Sequence, residues 1–216
     1  MDSTYRDNNL QFLSGGGEMG ALTRAKDWSQ TSLGEPASWP QSLRSTLSIV
    51  LNSRFPMFLW WSSESICFYN DAYRPSLGEN GKHPDILGMP AEQAWPEIWD
   101  TIKPLIDQVM SGGDAVYFED QLIPIFRNGK MEDVYWTFSY SPVIDESGNI
   151  SGVLVTCNET TEKINTLKKV EESEERFRTM AETSKILIAV SDETGHAVYL
   201  NKEWSELTGR PVEELL

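Results

Sequence analysis

The sequence predicts an α+β domain, a sheet of short strands covered by helices, followed by a helical connector and the opening of a second, related unit. Three observations carry this. Residues 55–78, FPMFLWWSSESICFYNDAYRPSLG, read as an apolar strand, a polar turn, a second strand and then a helical segment opened by Asn70. Residues 131–143 alternate with a period of two, Val134, Trp136, Phe138 and Tyr140 against Tyr135, Thr137 and Ser139, the pattern of a half-buried strand. The first text then returns at 186–209, ILIAVSDETGHAVYLNKEWSELTG, where Asn70/Asn201, Tyr73/Trp204 and Gly78/Gly209 share one offset of 131 residues. A shared offset between an Asn, an aromatic and a Gly marks an internal repeat.

Taken in order, residues 1–40 are rich in Gly, Ser and Pro and weakly periodic, as a flexible cap wrapped on the following domain would be. Gly15-Gly16-Gly17-Glu18-Met19-Gly20 spells G-x-G-x-x-G, but no strand precedes it and no acidic residue closes a second strand, which disfavours a phosphate loop. Ser38 and Pro40 signal a helix start, and Leu43, Leu47, Val50 and Leu51 give it one apolar stripe through Asn52. Strands follow at Pro56–Trp61 and Ile66–Tyr69, then a loop at 78–85. Ala94–Met110 reads as one long helix with Trp95, Ile98, Trp99, Ile102, Leu105, Ile106 and Val109 on its buried face. Pro96 suits its first turn, Pro104 kinks it, and Gly112 and Gly113 end it. Ala115–Phe126 and Met131–Val143 flank an Asn128-Gly129 hairpin turn, and Ile150–Cys157 closes the sheet after a turn at 145–149. Residues 161–182 form a charged helix with Glu172–Arg176 and Glu174–Arg178 in the favourable i, i+4 order. Val170, Phe177 and Ser184 are seven apart while Ile164 and Leu167 fall off that register. A short two-stranded coil and a helix docked on its own domain both stay open.

A net charge of −15 over 216 residues argues against nucleic-acid binding and against an anionic membrane surface. The apolar run FPMFLWW is far too short for membrane insertion, and the polar N-terminus carries no signal-peptide core. Cys67 and Cys157 have neither metal nor disulfide spacing, so the expectation is a soluble, cytoplasmic protein. No nucleophile–base pair, H-E-x-x-H or P-loop stands out, so neither catalytic nor metal-binding residues are assigned. The aromatic content is the main signal. Trp60, Trp61, Trp95, Trp99, Trp136, Phe138 and Tyr140 could wall a cavity for a planar ligand, or could be core and dimer-interface packing. Asn70 and Asn201 read as helix caps at strand–helix junctions. His83, before Pro84, reads as a solvated loop residue, and His196 lies in a hairpin turn.

The strand–hairpin–strand–Asn–helix opening, followed by x-Tyr/Trp-x-x-x-x-Gly, resembles the PAS domain in both copies, and the later long helix, hairpin and closing strand follow the order of that family. The resemblance implies a five-stranded antiparallel sheet with helices on one face. It divides the chain into a leader or cap (1–43), a first PAS domain (44–160), a helical signalling linker (161–182) and the start of a truncated second copy (183–216). Asn158-Glu159-Thr160-Thr161-Glu162-Lys163 resembles the Asp-x-Thr-Glu-Arg/Lys segment through which such domains hand over to an output helix. It marks Asn158, Thr160 and Glu162 as candidate relay residues. The leader FLSGGGEMG…DWSQTSLGEPASWPQSL resembles those before PAS domains of bacterial sensor histidine kinases. The implied function is the sensory input of a two-component histidine kinase. It would be a homodimer that binds an unknown small molecule or partner and signals to a downstream kinase or other output domain. The alternatives are a ligand-free dimerisation module and a haem or flavin sensor. A haem PAS needs an axial His, and a light-oxygen-voltage photosensor needs a Cys in an Asn-Cys-Arg-Phe-like segment. Neither is found, so no cofactor is expected.

Overall fold

The computed structural model describes residues 8–79 and 81–216. Residues 1–7 of the expected leader lie outside the described residues. The chain divides after Thr161 into two compact units.

In the first unit, β1 (Met57–Trp61) and β2 (Ile66–Tyr69) are the predicted apolar pair. They join β3 (Val116–Leu122), β6 (Tyr135–Ile144) and β7 (Ile150–Glu159) in a five-stranded antiparallel sheet of order β2-β1-β7-β6-β3. The Asn128-Gly129 turn forms with both residues at positive φ, 53° and 77°, as a tight hairpin requires. It closes a separate two-stranded flap, β4 (Ile125–Arg127) and β5 (Lys130–Glu132), rather than joining two long strands. Pro124 lacks the N–H that a continuous strand would spend on its neighbour, so the chain leaves the main sheet between β3 and β4.

Helices α1 (Gly17–Ala25), α2 (Gln41–Asn52), α3 (Ala91–Ala94) and α4 (Trp99–Met110) complete the unit. The expected helix 94–110 is broken, because residues 95–98 are not helical. Pro96 disfavours the helical conformation at Trp95, and Trp95 accordingly takes φ −131° and ψ 48°. Ile102, Ile106 and Val109 of α4 are buried on the sheet face that also carries Phe58, Trp60, Val155 and Cys157.

Successive strand residues point to opposite faces. β1 and β2 are buried at nearly every position, so both faces near their edge are covered. The second cover is the N-terminal segment. Trp28 stacks on Phe68 at 5.0 Å, Trp39 meets both edge-on, and α2 buries its predicted stripe of Leu43, Leu47, Val50 and Leu51. Leu13, Met19, Trp28 and Trp39 are each at most 3 % exposed, so this segment is core. The Gly-rich run serves that docking. Asp71 accepts hydrogen bonds from the Glu18 and Met19 amides at 2.9 and 2.7 Å, placing a carboxylate on the positive end of α1. A Cβ at Gly17, whose φ is +57°, would lie 1.8 Å from an Asp71 oxygen. The anion at this helix N-terminus is the protein's own side chain.

Asn70 is fully buried and ties three segments together. Its Oδ1 accepts from the Met57 and Tyr73 amides, and its Nδ2 donates to the Ser53 and Phe55 carbonyls. The second unit repeats the knot at the 131-residue offset. Asn201 accepts from the Ile188 amide and donates to Ile186 O and Ala181 O, while the Asn201 amide donates to Ile188 O as the Asn70 amide does to Met57 O. Neither residue is a simple N-cap: α6 (Glu203–Thr208) has Lys202 at its N-cap, and Asn201 closes the β8–β9 hairpin instead. That unit consists of α5 (Thr161–Thr183), β8 (Ala189–Ser191), β9 (Ala197–Leu200) and α6, with Tyr199 and the Lys202 amide held by Glu182 of α5.

Two outcomes follow for stability. Trp136→Ala should lower unfolding free energy by about 3–5 kcal/mol in urea titrations, since the ring is buried, whereas half-buried Trp99→Ala should cost under about 2 kcal/mol. Asn70→Ala, which strands buried backbone groups, should cost about 2–4 kcal/mol, and a loss under about 1 kcal/mol would remove the knot from this account.

Candidate ligand cavity and its latch

Between α4, the flap and the concave sheet face lies an apolar cavity of about 60 Å³. β1 supplies Phe58 and Trp60, β6 supplies Trp136, Phe138 and Tyr140, and β7 supplies Val155 and Cys157. These are every second residue of each strand, which is why the period-two text was informative. Ile102 of α4 and Ile98 just before it form a second wall, and Ile125 of the flap closes the cavity together with Ile123, which lies between β3 and the flap.

Of the seven aromatic residues expected to line the pocket, Trp60, Trp95, Trp136, Phe138 and Tyr140 do so. Trp99 does not. The break at 95–98 turns it out of the buried face, and it is only half-buried. Trp61 points to the opposite sheet face, its ring lying over Gly152, where a Cβ would come within 2.7 Å of it. Tyr73, which the sequence reading used only as a repeat marker, is a further wall.

Among the described residues, no charged side chain lines the cavity. Burial pushes the Tyr73 and Tyr140 hydroxyls far up from their ordinary range, so both stay neutral. Burial likewise raises the Cys157 thiol to about 12. The Trp136 indole donates to Ile123 O at 3.3 Å, fixing the root of the flap. The Trp95 indole N–H is buried without an acceptor, and that of Trp60 reaches only the Cys67 sulfur, a weak one.

The flap is held by charge at both ends. Glu97, paired with Lys82 at 3.1 Å, accepts from the Phe126 amide. Arg127 makes a bidentate pair with Glu159 at 2.8 Å on both arms, a third contact to Glu132 at 2.8 Å and a fourth to Ser76 O at 3.0 Å. These carboxylates raise the Arg127 pKa still further, and the guanidinium holds Glu132 below the usual carboxylate range. Glu159 is the last residue of β7, and α5 begins two residues later at Thr161, whose hydroxyl accepts from the Tyr135 amide at 3.0 Å.

The candidate relay residues are placed differently from expectation. Asn158 and Glu162 are exposed, and Thr160 is buried with its hydroxyl unpartnered. Matching the Asp-x-Thr-Glu-Lys pattern one residue later, to Glu159-Thr160-Thr161-Glu162-Lys163, puts an acid and a hydroxyl where the structure uses them. Arg127 was visible only as the residue before an Asn-Gly turn. His83 is also not solvated: its Nδ1 meets the Tyr69 hydroxyl at 2.8 Å and its side chain is 15 % exposed.

A family model described as PAS fold matches residues 58–165. Among solved structures, the PAS domain of BvgS from Bordetella pertussis is 17% identical, covering 63% of this chain and 98% of that one with a TM-score of 0.43. A sensory box sensor histidine kinase from Vibrio cholerae is also 17% identical, covering 55% and 90% with a TM-score of 0.38. No curated protein matches the chain.

One chemical outcome tests the burial of the site. At pH 8 both cysteines are neutral thiols shielded from solvent, so the native protein should leave a thiol-specific chromogenic reagent unreacted over an hour, and both should react at once in guanidinium. Fast labelling of Cys157 in the native state would mean the cavity opens freely.

Proposed function

Because this chain belongs to the PAS family, we propose that its first unit senses a small molecule in the cavity and reports occupancy to helix α5 through the flap and Arg127. The observation that carries this is the bond network of Arg127. One guanidinium joins the flap that closes the cavity to the residue that ends β7 just before α5. A ligand that displaces Ile125 moves Arg127 two residues away, and the fork geometry transmits direction as well as force.

We further propose that the region is the cytoplasmic input of a two-component histidine kinase, a reading supported by the leader and linker resemblances and by two free thiols that suit a reducing compartment. The expected state is a homodimer. Leu167, Val170 and Met180 of α5 are more than half exposed, an apolar series that a second copy of the helix would cover. Among the described residues no helix is long and apolar enough to cross a membrane. The protein is proposed to carry neither haem nor flavin: among the described residues no His lines the cavity, and about 60 Å³ is far below the volume of either ring system.

A thermal-shift screen of small molecules against the purified chain tests the sensing reading. Any hit should be lost in Val155→Phe, which fills the cavity, while that variant stays folded by circular dichroism. A hit that binds Val155→Phe undiminished binds elsewhere and removes the cavity from the mechanism. The purified protein should be colourless; a Soret band or a flavin spectrum at near-stoichiometric yield would overturn the cofactor-free reading.

A further inference from the structure

Resting on the cavity reading above, we infer that the N-terminal segment regulates the cavity: the first turn of α1, seated on Asp71, holds the cavity shut, and its unseating opens a path to Cys157. The connection is a strap, residues 70–79, that touches the leader, the cavity and the flap in turn. Its first part holds α1, since Asp71 accepts from the Glu18 and Met19 amides and Arg74 pairs with Glu18. Its middle part is cavity wall. The buried Tyr73 ring meets Phe58 edge-on at 5.3 Å and lies against Trp136 at 6.3 Å. Its last part grips the flap: the Ser76 carbonyl accepts from Arg127 at 3.0 Å, and the Glu79 amide donates to the Asn128 side chain at 2.7 Å. Strap and flap turn are in close contact there, because a Cβ at Gly78 would come within 2.6 Å of Asn128 Oδ1 and 2.9 Å of the Arg127 Cβ.

The strap has one fixed end. Asn70 is tied to the Met57 amide and the Phe55 carbonyl, so the residues after it pivot there. A 3-10 turn at Arg74–Leu77 joins Tyr73 to Gly78, so a shift at Asp71 is carried along it to the cavity wall and the flap together. The leader is built to act at that point. Asn52 of α2 holds the residues before α1 through the Gly16 amide and the Ser14 carbonyl. The first turn of α1 is tied instead to Asp71 and Arg74 of the strap, with His83 a further partner of Glu18 at 3.4 Å. A carboxylate on the amide end of a helix makes charge-assisted bonds, and both amides lose them together. Losing that seat frees the Tyr73 wall and slackens the Ser76 tie of Arg127, with no strand of the sheet having to part.

Alkylation of the full native chain by N-ethylmaleimide, with each cysteine followed by mass spectrometry, reads opening directly. Cys157 lines the cavity, whereas Cys67, buried on β2, does not and reports wider unfolding. When reclosing outpaces alkylation, the rate follows the open population. Two variants loosen the seat from opposite sides, Gly17→Ala from α1 and Asp71→Asn from the strap, so the test survives if one of them fails to fold. Each should raise the Cys157 rate about tenfold, the worth of one charge-assisted hydrogen bond. Cys67 should stay unchanged, and amide exchange at 18–20 should quicken as α1 comes loose. Arg127→Lys, which keeps the charge and loses the fork, tests the latch separately and should also speed Cys157. An unchanged Cys157 rate in both seat variants, or amides at 18–20 that stay protected, overturns control by the N-terminal segment and leaves the cavity and its latch standing. Equal acceleration of both cysteines overturns it too, since the unit then unfolds rather than opens. An unchanged rate in Arg127→Lys removes the latch on which this inference rests.

Discussion

One guanidinium, that of Arg127, ties the flap that closes the cavity to the end of the strand leading into α5. Arg127 has two arms on Glu159, one on Glu132 and a bond to the Ser76 carbonyl, with its side chain only 12 % exposed. A guanidinium placed this way tolerates little displacement, because each of its bonds is directional and a freed carboxylate in a half-buried setting is costly. The flap therefore does not flex independently of β7. Lysine could supply the charge but not the fork, so the coupling depends on geometry more than on net attraction.

Everything else keeps that fork in place. The sheet is pinned at its β1–β2 edge by burial on both faces, with the cavity aromatics on one side and Trp28, Trp39 and Phe68 on the other. Asn70 fixes the start of β1 to the segment after β2, and Asp71, its neighbour, seats α1. The rigid wall and the movable wall of the cavity are thus separate parts. The rigid one belongs to the five-stranded sheet, and the movable one is a short hairpin held by polar ties. Because the Arg127 bonds resist breaking, a displaced hairpin carries the end of β7 with it.

Periodicity made the strands legible, and alternation on β6 placed Trp136, Phe138 and Tyr140 on one face. The repeat at 131 residues was legible too, although Asn70 and Asn201, read as helix caps, tie strand and connector backbone together instead. What escaped depended on contacts between segments distant in sequence. Trp99 lies on the correct helical stripe only if the helix runs through Pro96, and it does not. The core role of the leader was hidden because Gly and Pro mimic a flexible linker, while the structure uses Gly17 to let Asp71 approach a helix end. The Arg127–Glu159 pair spans 32 residues, and no local pattern announces such a partner.

Hydrogen–deuterium exchange on the whole chain, with and without a saturating cavity ligand, tests the central coupling most directly. The account predicts that occupancy changes protection in two places together, the flap at 125–132 and the start of α5 at 159–164, while the β1–β2 edge stays unchanged. In Arg127→Ala the flap should still respond and the start of α5 should not. A response of residues 159–164 that survives loss of the guanidinium would contradict the account and route the signal through the sheet instead.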